Sequence, residues 1–459
     1  MPATLLTNAT IVTGTSIREG CLGIEGERIS GIWSGKPNIP GAEVIDLQGK
    51  ILMAGGIDAH VHFRDPGLTR KADIASESRA ALLGGITTFI DMPNTDPPTV
   101  GLKALEDKIR LAENKSFVNF GFHLGATNDN YGQILEYLKA GQGERFAGIK
   151  VFMGSSTGNM LVDRDSVLED LFSIKGKTIL VHSEDEDTIK ANLRRAREKF
   201  GDDIPFQEHP AVRSREACAR STRKALELAV THATRLHILH VSTKEEVEMI
   251  REAKLRNPEI TAETSANYLW FSDEDYPRMG GRLKCNPAIK TSADRDALIE
   301  ALRDGTIDTI GSDHAPHLPE EKDRPYLKCP SGLPTIQESI PALMTIASRN
   351  GIPLTTLASA FSEKAAGIFG ICGRGRLQEG FYADLVVLDP QKEHSVGKPA
   401  YKCGWSPYEG CSFKGAVDMV WVNGTLALCG GRPCTGTGQS PAQRPRFLSI
   451  GQDKGAPGR

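Results

Sequence analysis

The chain has 459 residues, 39% of them hydrophobic and 25% charged, with a formal net charge of −3. That is ordinary for a globular chain that can bury a large core, and the length exceeds one average domain. A pI near 6.4 gives no electrostatic reason to expect nucleic acid or an anionic membrane as partner, and no window approaches the roughly 18 apolar residues of a membrane span.

The stretch Met1 to Asn8 lacks a basic segment followed by a long apolar run, and the nine cysteines include no C-x-x-C pair. Reduced thiols in a cytoplasmic protein are the expectation, with Cys285 kept open because it falls beside a possible substrate loop. Short strands separated by turns occupy the first ~50 residues, at Ala9–Val12, Leu22–Glu25, Arg28–Trp33 and Val44–Asp46. Apolar runs then alternate with charged helical segments. The runs are Ile57–Val61, Thr87–Met92, Val118–Leu124, Gly148–Met153, Thr178–His182, Leu236–Val241, Ile260–Thr264 and Thr309–Ser312. Eight such units predict a closed (β/α)8 TIM-like barrel, and no G-x-G-x-x-G follows the first strand as a doubly wound sheet would require. Strand texture returns at Ala383–Leu388 and Ala416–Val422. The expected organisation is a composite β-sandwich domain from residues 1–54 and 371–432, a barrel over 55–370, and a flexible Gly/Pro-rich tail over 433–459.

Polar residues able to hold metal recur at the C-terminal ends of the barrel runs, where such folds place their active sites. His60 and His62 close the first run, two apart and so on one face. Lys150 sits inside an apolar run, His182 and His240 end two more, and Asp313 follows the eighth. Taken alone, H-x-H fits two structural histidines as well as a metal site, and a strand lysine can simply snorkel out. The joint pattern, with nitrogen and oxygen donors and no thiolate, suits zinc, with manganese and cobalt left open.

This set resembles the signature of the cyclic amidases of the amidohydrolase superfamily, the group of dihydroorotases, allantoinases, hydantoinases and dihydropyrimidinases. The resemblance runs from Asp58 to the Trp405–Gly410 stretch and Val422-Asn423-Gly424. It implies that His60 and His62 ligate one zinc ion and His182 and His240 a second. Lys150 would be carboxylated to bridge them, and Asp313 would be both a ligand and the catalytic acid–base. H-x-H-x-R at Arg64 is similar to the dihydroorotase branch, where allantoinases usually carry Asn. With Asn94 and His317, Arg64 would cradle a substrate carboxylate, and Asn286 would meet the ring. The function implied is reversible hydrolysis of (S)-dihydroorotate to N-carbamoyl-L-aspartate in pyrimidine synthesis. The alternatives are an allantoinase or hydantoinase, or a non-catalytic barrel that binds a partner. Family habit implies a homo-oligomer, a dimer at least. Two departures bear on selectivity: Ser265-Ala266-Asn267-Tyr268 replaces a common histidine pair, and Asn286-Pro287-Ala288-Ile289-Lys290 replaces N-P-P-[LV]-R. Pro330–Thr335 reads equally as a mobile loop over the site or as a surface turn.

Overall fold

The computed structural model describes residues 3–154, 160–434 and 445–451. Five strands open the chain: β1 (Thr4–Val12), β2 (Ile17–Glu25), β3 (Arg28–Trp33), β4 (Glu43–Asp46) and β5 (Ile51–Ala54). The barrel strands follow as β6 (Gly56–Val61), β7 (Ile86–Asp91), β8 (Asn119–Phe122), β9 (Leu124–Gly125), β10 (Ile149–Phe152), β11 (Ile179–His182), β12 (Leu236–Ile238), β13 (Ile260–Thr264) and β14 (Thr309–Ile310). Four more, β15 (Leu385–Ser395), β16 (Ser412–Val422), β17 (Thr425–Cys429) and β18 (Arg432–Pro433), return to antiparallel texture.

Within the barrel every pairing is parallel, in the order β6-β7-β8 and then β9 through β14. The ring closes where Val61 bridges His314 and the His62 N–H donates to the His314 carbonyl at 2.8 Å. Closure therefore falls beside the histidines singled out from sequence. Strands buried on both faces need continuous apolar runs, and parallel neighbours need helical crossovers. Both are encoded. Ser214, Thr243 and Thr291 cap the helices Arg215–Thr231, Lys244–Arg256 and Ser292–Asp304, each side chain accepting from the N–H three residues on. Each such cap is worth about 1 kcal/mol.

All eight predicted runs are strands, with one refinement. The third splits at His123, whose N–H donates to the Asp91 carbonyl at 3.1 Å. Sequence reading missed β5, because its run Ile51–Ala54 abuts Gly55-Gly56 and merges visually with β6. In the structure β5 pairs with β1 and β15, so it knits the two chain ends together. Strands from both ends form one hydrogen-bonded path, β18-β17-β16-β15-β5-β1-β2-β3, with β4 on β1. Leu6, Ile11, Leu22, Leu52, Leu385, Val387 and Trp421 supply its separate core. Buried Arg374, Asp384, Asn423 and Asn119 hydrogen-bond together where this domain meets the barrel.

The expected loose tail is corrected over residues 445–451. Phe447 forms a parallel bridge with Phe120 of β8, and Ile450 an antiparallel one with Ile371. Leu448 and Ile450 are buried and join Ile57, Ile90 and Leu180 in the inner barrel core. The physical reason is the short apolar run Phe447-Leu448-Ser449-Ile450, masked in composition by its Gly- and Pro-rich surroundings. The rest of that expectation falls on residues 435–444 and 452–459, outside the described residues.

Candidate metal centre

The ends of six strands converge on one cleft, walled by His60, His62, Arg64, Asn94, Lys150, His182, His240, Asn286 and Asp313, with Phe152, Ala315, Ser331 and Gly332. Of the residues singled out from sequence, His317 alone is not in this wall; it stands behind Arg64 and Ser331. Backbone strain marks the place. Arg64, His240 and Asp313 adopt φ of 64°, 39° and 47°, a left-handed region that non-glycine residues enter at a cost and that gathers at functional sites.

His60, His62 and Asp313 form a group able to hold a metal ion, with donor atoms within 4.8 Å of one another. The Asp313 Oδ1 lies 3.3 Å from His60 Nε2 and 3.2 Å from His62 Nε2. Donors on a tetrahedral ion with bonds of about 2.0–2.1 Å stand roughly 3.3 Å apart, so the spacing fits. On the facing strands, His182 Nδ1 and His240 Nε2 approach to 2.9 Å, two ring nitrogens converging in the same way. Lys150 is 1% exposed, with its Nζ 4.6 Å from the Phe152 ring centre, and among the described residues no ion pair holds it.

Two of the groups that aim these histidines, Glu263 and Glu184, were not among the residues singled out from sequence. His60 Nδ1 meets Glu263 Oε1 of β13 at 2.6 Å, and His182 Nε2 meets Glu184 Oε2 at 2.9 Å. His62 Nδ1 donates to Asn94 Oδ1 at 2.7 Å, so Asn94 orients a histidine as well as lining the cleft. Each partner fixes one tautomer and leaves the other nitrogen's lone pair for a metal. The available signal was a carboxylate buried in an apolar run (Glu263), and one two residues past a strand-end histidine (Glu184). Arg213 in turn pairs with Glu184.

The electrostatics favour metal-ready forms at His62, His182, His240 and Asp313, but not at His60. Burial pushes His62 down to about 4 and lowers His182 and His240, keeping these imidazoles neutral. Burial also lowers His60, but Glu263 and Asp313 outweigh it and leave His60 raised. Burial brings Lys150 down to about 7, against the pull of Asp313 and Glu263, so a neutral amine is accessible. Burial alone would raise Asp313, yet His60, His62 and His240 hold it well below the usual carboxylate range.

Beside the centre, Arg64 is 2% exposed; its Nε donates to the Pro316 carbonyl at 3.3 Å, and among the described residues no carboxylate salt-bridges it. Asn286, preceding a cis Asn286–Pro287 bond, carries a buried Oδ1 with no hydrogen-bond partner among the described residues. The Pro330–Thr335 segment is anchored. Buried Lys322 donates to the carbonyls of Lys284, Pro330 and Gly332, and Gly332 N–H donates back to Lys284 O at 3.0 Å. Gly332, at φ 143°, lies so close to Ala315 that a Cβ would come within 2.5 Å of its carbonyl oxygen, so only glycine fits. Burial pushes the Cys285 thiol up to about 12, which leaves it inert. The side chains of the two departures are buried outside the cleft wall: Asn267 accepts from the Tyr408 hydroxyl at 2.9 Å, and Lys290 donates to the Ala288 carbonyl at 2.9 Å.

A parallel eight-stranded barrel with histidines and an aspartate gathered at its C-terminal mouth is the architecture of a metal-dependent hydrolase. The chain belongs to the amidohydrolase family, which it matches over residues 51–427. A protein of Methanosarcina acetivorans named dihydroorotase is 36% identical, with 93% of this chain and 91% of that one aligned. A Rubrobacter xylanophilus protein named allantoinase is 34% identical over 96% of this chain and 97% of that one. Among solved structures, the L-hydantoinase (dihydropyrimidinase) of Arthrobacter aurescens superposes with a TM-score of 0.90 at 28% identity, covering 98% of this chain and all of that one. The chain is thus similar to hydrolases of cyclic amides. Among the described residues no helix is long and apolar enough to cross a membrane.

Proposed function

We propose that the chain hydrolyses the cyclic amide of (S)-dihydroorotate to N-carbamoyl-L-aspartate, reversibly, with two zinc ions. The observation that carries this reading is Arg64: a buried guanidinium beside the candidate metal centre that no carboxylate salt-bridges among the described residues. A buried cation without a counter-ion is costly, and a substrate carboxylate bound bidentately resolves that cost. Dihydroorotate brings such an exocyclic carboxylate; hydantoin and allantoin do not. Asn94 flanks Arg64 and His317 backs it.

His60 and His62 would hold one ion, His182 and His240 the other, with Asp313 on the first and carboxylated Lys150 bridging both. When bound, the ions lower the pKa of water and polarise the scissile carbonyl. Asp313, ionised at rest, takes the proton of the attacking water and delivers it to the ring nitrogen as the amide C–N bond breaks. Asn286 Oδ1, lacking a partner, accepts from a ring N–H and fixes the plane of the substrate. Glu263, Glu184 and Asn94 keep the ligand histidines in the tautomers the site needs. The reading extends to a cytoplasmic homo-oligomer, a dimer in its simplest form; light scattering of the purified protein tests the dimer.

Ring opening of dihydroorotate, dihydrouracil, hydantoin and allantoin by the purified enzyme tests the reading, with metal content measured in parallel. Turnover of dihydroorotate well above the others is expected. Activity confined to hydantoin or allantoin overturns the substrate assignment, and less than about one metal per chain overturns the two-metal centre.

A further inference from the structure

Behind Arg64 of the cleft wall three side chains meet: His317, Lys71 and Glu321. His317 is 1% exposed. Its Nδ1 lies 3.0 Å from the Lys71 Nζ, and its Nε2 lies 3.1 Å from the Ser331 carbonyl and 3.3 Å from Arg64 Nη2. An ammonium group has donors and no acceptor, so the Nδ1 it faces must offer a lone pair. Glu321 cannot claim a proton there, since its carboxylate stands 3.8 Å from Nδ1, too far for a hydrogen bond. Glu321 instead holds Lys71 at 3.1 Å and accepts from the Leu318 N–H at 2.9 Å. Burial holds His317 well below its usual range, against an upward pull from Glu321 and with help from the cations Arg64, Lys322 and Lys71, so it carries a single ring proton.

We propose that Lys71 is a positioning residue that locks His317 as its Nε2–H tautomer, and that this lock keeps the Arg64 guanidinium available to an incoming carboxylate. An Nε2–H donates to Ser331 and so helps anchor the 330–332 segment. The same N–H offers Arg64 no lone pair: two donors face each other across 3.3 Å, and that contact is no hydrogen bond. The other tautomer would reverse both outcomes. Nε2 would accept from Arg64 and quench it internally, and the Ser331 carbonyl would lose its donor. Lys71, with its side chain 19% exposed, thus acts through His317 without touching the substrate. The inference rests on the carboxylate-binding reading of Arg64 above for its kinetic consequence, but not for the tautomer itself.

The test reads both. In isotope-labelled holoenzyme, the His317 ring signals, assigned by their loss in His317→Gln, report the tautomer through the Cδ2 shift. The wild type is expected to show Nε2–H. Lys71→Met, which leaves Glu321 as the nearby polar group, is expected to move the population towards Nδ1–H. Lys71→Arg, again donor-only, should restore the original signature. In kinetics, Lys71→Met should raise KM for dihydroorotate about tenfold, the loss of roughly one good hydrogen bond, while kcat changes less than about twofold and dihydrouracil is unaffected. An Nδ1–H signature in the wild type, or an unchanged signature in Lys71→Met, overturns the proposal. Equal loss on both substrates overturns its link to Arg64. A wild type that does not open dihydroorotate refutes the substrate reading, while the ring signals still decide the role of Lys71.

Discussion

Replacing Arg64 by methionine separates substrate recognition from folding. A bidentate guanidinium–carboxylate pair supplies two charge-assisted hydrogen bonds, each worth about 1.5–3 kcal/mol. Their loss amounts to about 3–6 kcal/mol, or roughly 10²–10⁴ in kcat/KM for dihydroorotate. Dihydrouracil has the same ring without the carboxylate, so its kcat/KM should change less than about threefold, and the ratio of the two is the diagnostic quantity. The fold should tolerate the change. Arg64 has no salt bridge to lose among the described residues, and its one donated bond to Pro316 O is a long 3.3 Å. Methionine fills similar space without a buried charge. Tm is therefore expected to stay level or rise. Equal loss on both substrates, or a fall in Tm beyond about 5 °C, which for a chain this size exceeds 1 kcal/mol, would refute the reasoning.

Asp313→Asn should retain metal but lose about 10²–10⁴ in kcat, as removal of a general acid–base does; near-normal turnover would exclude that role. Lys150→Ala should lose metal first, as read by elemental analysis, and short carboxylic acids should restore part of the activity; unchanged metal content would count against a bridging carbamate. Leu448→Ala should cost about 2–4 kcal/mol in denaturant unfolding, with kcat/KM unchanged at temperatures where the variant is folded. Burial raises Glu338 to about 8 despite its bonds from Tyr401 and Ser406. Its folded pKa exceeds the unfolded value, so its contribution is fully present below about pH 4.5 and is lost as pH rises to about 8, at up to 1.4 kcal/mol per pH unit. Glu338→Gln should flatten that decline in a pH series of Tm values; an identical slope would remove Glu338 as its source.

The barrel was readable because parallel strands buried on both faces must be continuous apolar runs, and eight of them stand in the sequence between charged helical segments. The gathering of these side chains was readable for a related reason: a histidine or aspartate ending such a run has one place to go, the barrel mouth. What escaped were residues whose meaning depends on a partner far away in sequence. Glu263 is one glutamate among many until the barrel closes and its Oε1 meets His60. Asn94, read as a substrate group, also spends its Oδ1 on His62. β5 was hidden by its adjacency to β6. The 330–332 segment, ambiguous between lid and turn, is pinned by Lys322, a lysine in a charged run that gives no sign of being buried.

The segment at 445–451 has a bearing on how the molecule is made. Phe447 lies beside Phe120 and Leu448 fills the floor of the barrel. During synthesis the residues around Phe120 emerge long before Phe447 does, so the barrel keeps an apolar opening at its base until that distant segment arrives. Sealing of the barrel base therefore depends on a segment more than 300 residues away in sequence, and removing residues 445–451 removes the seal. Fusions joined beyond Gly451 leave it in place.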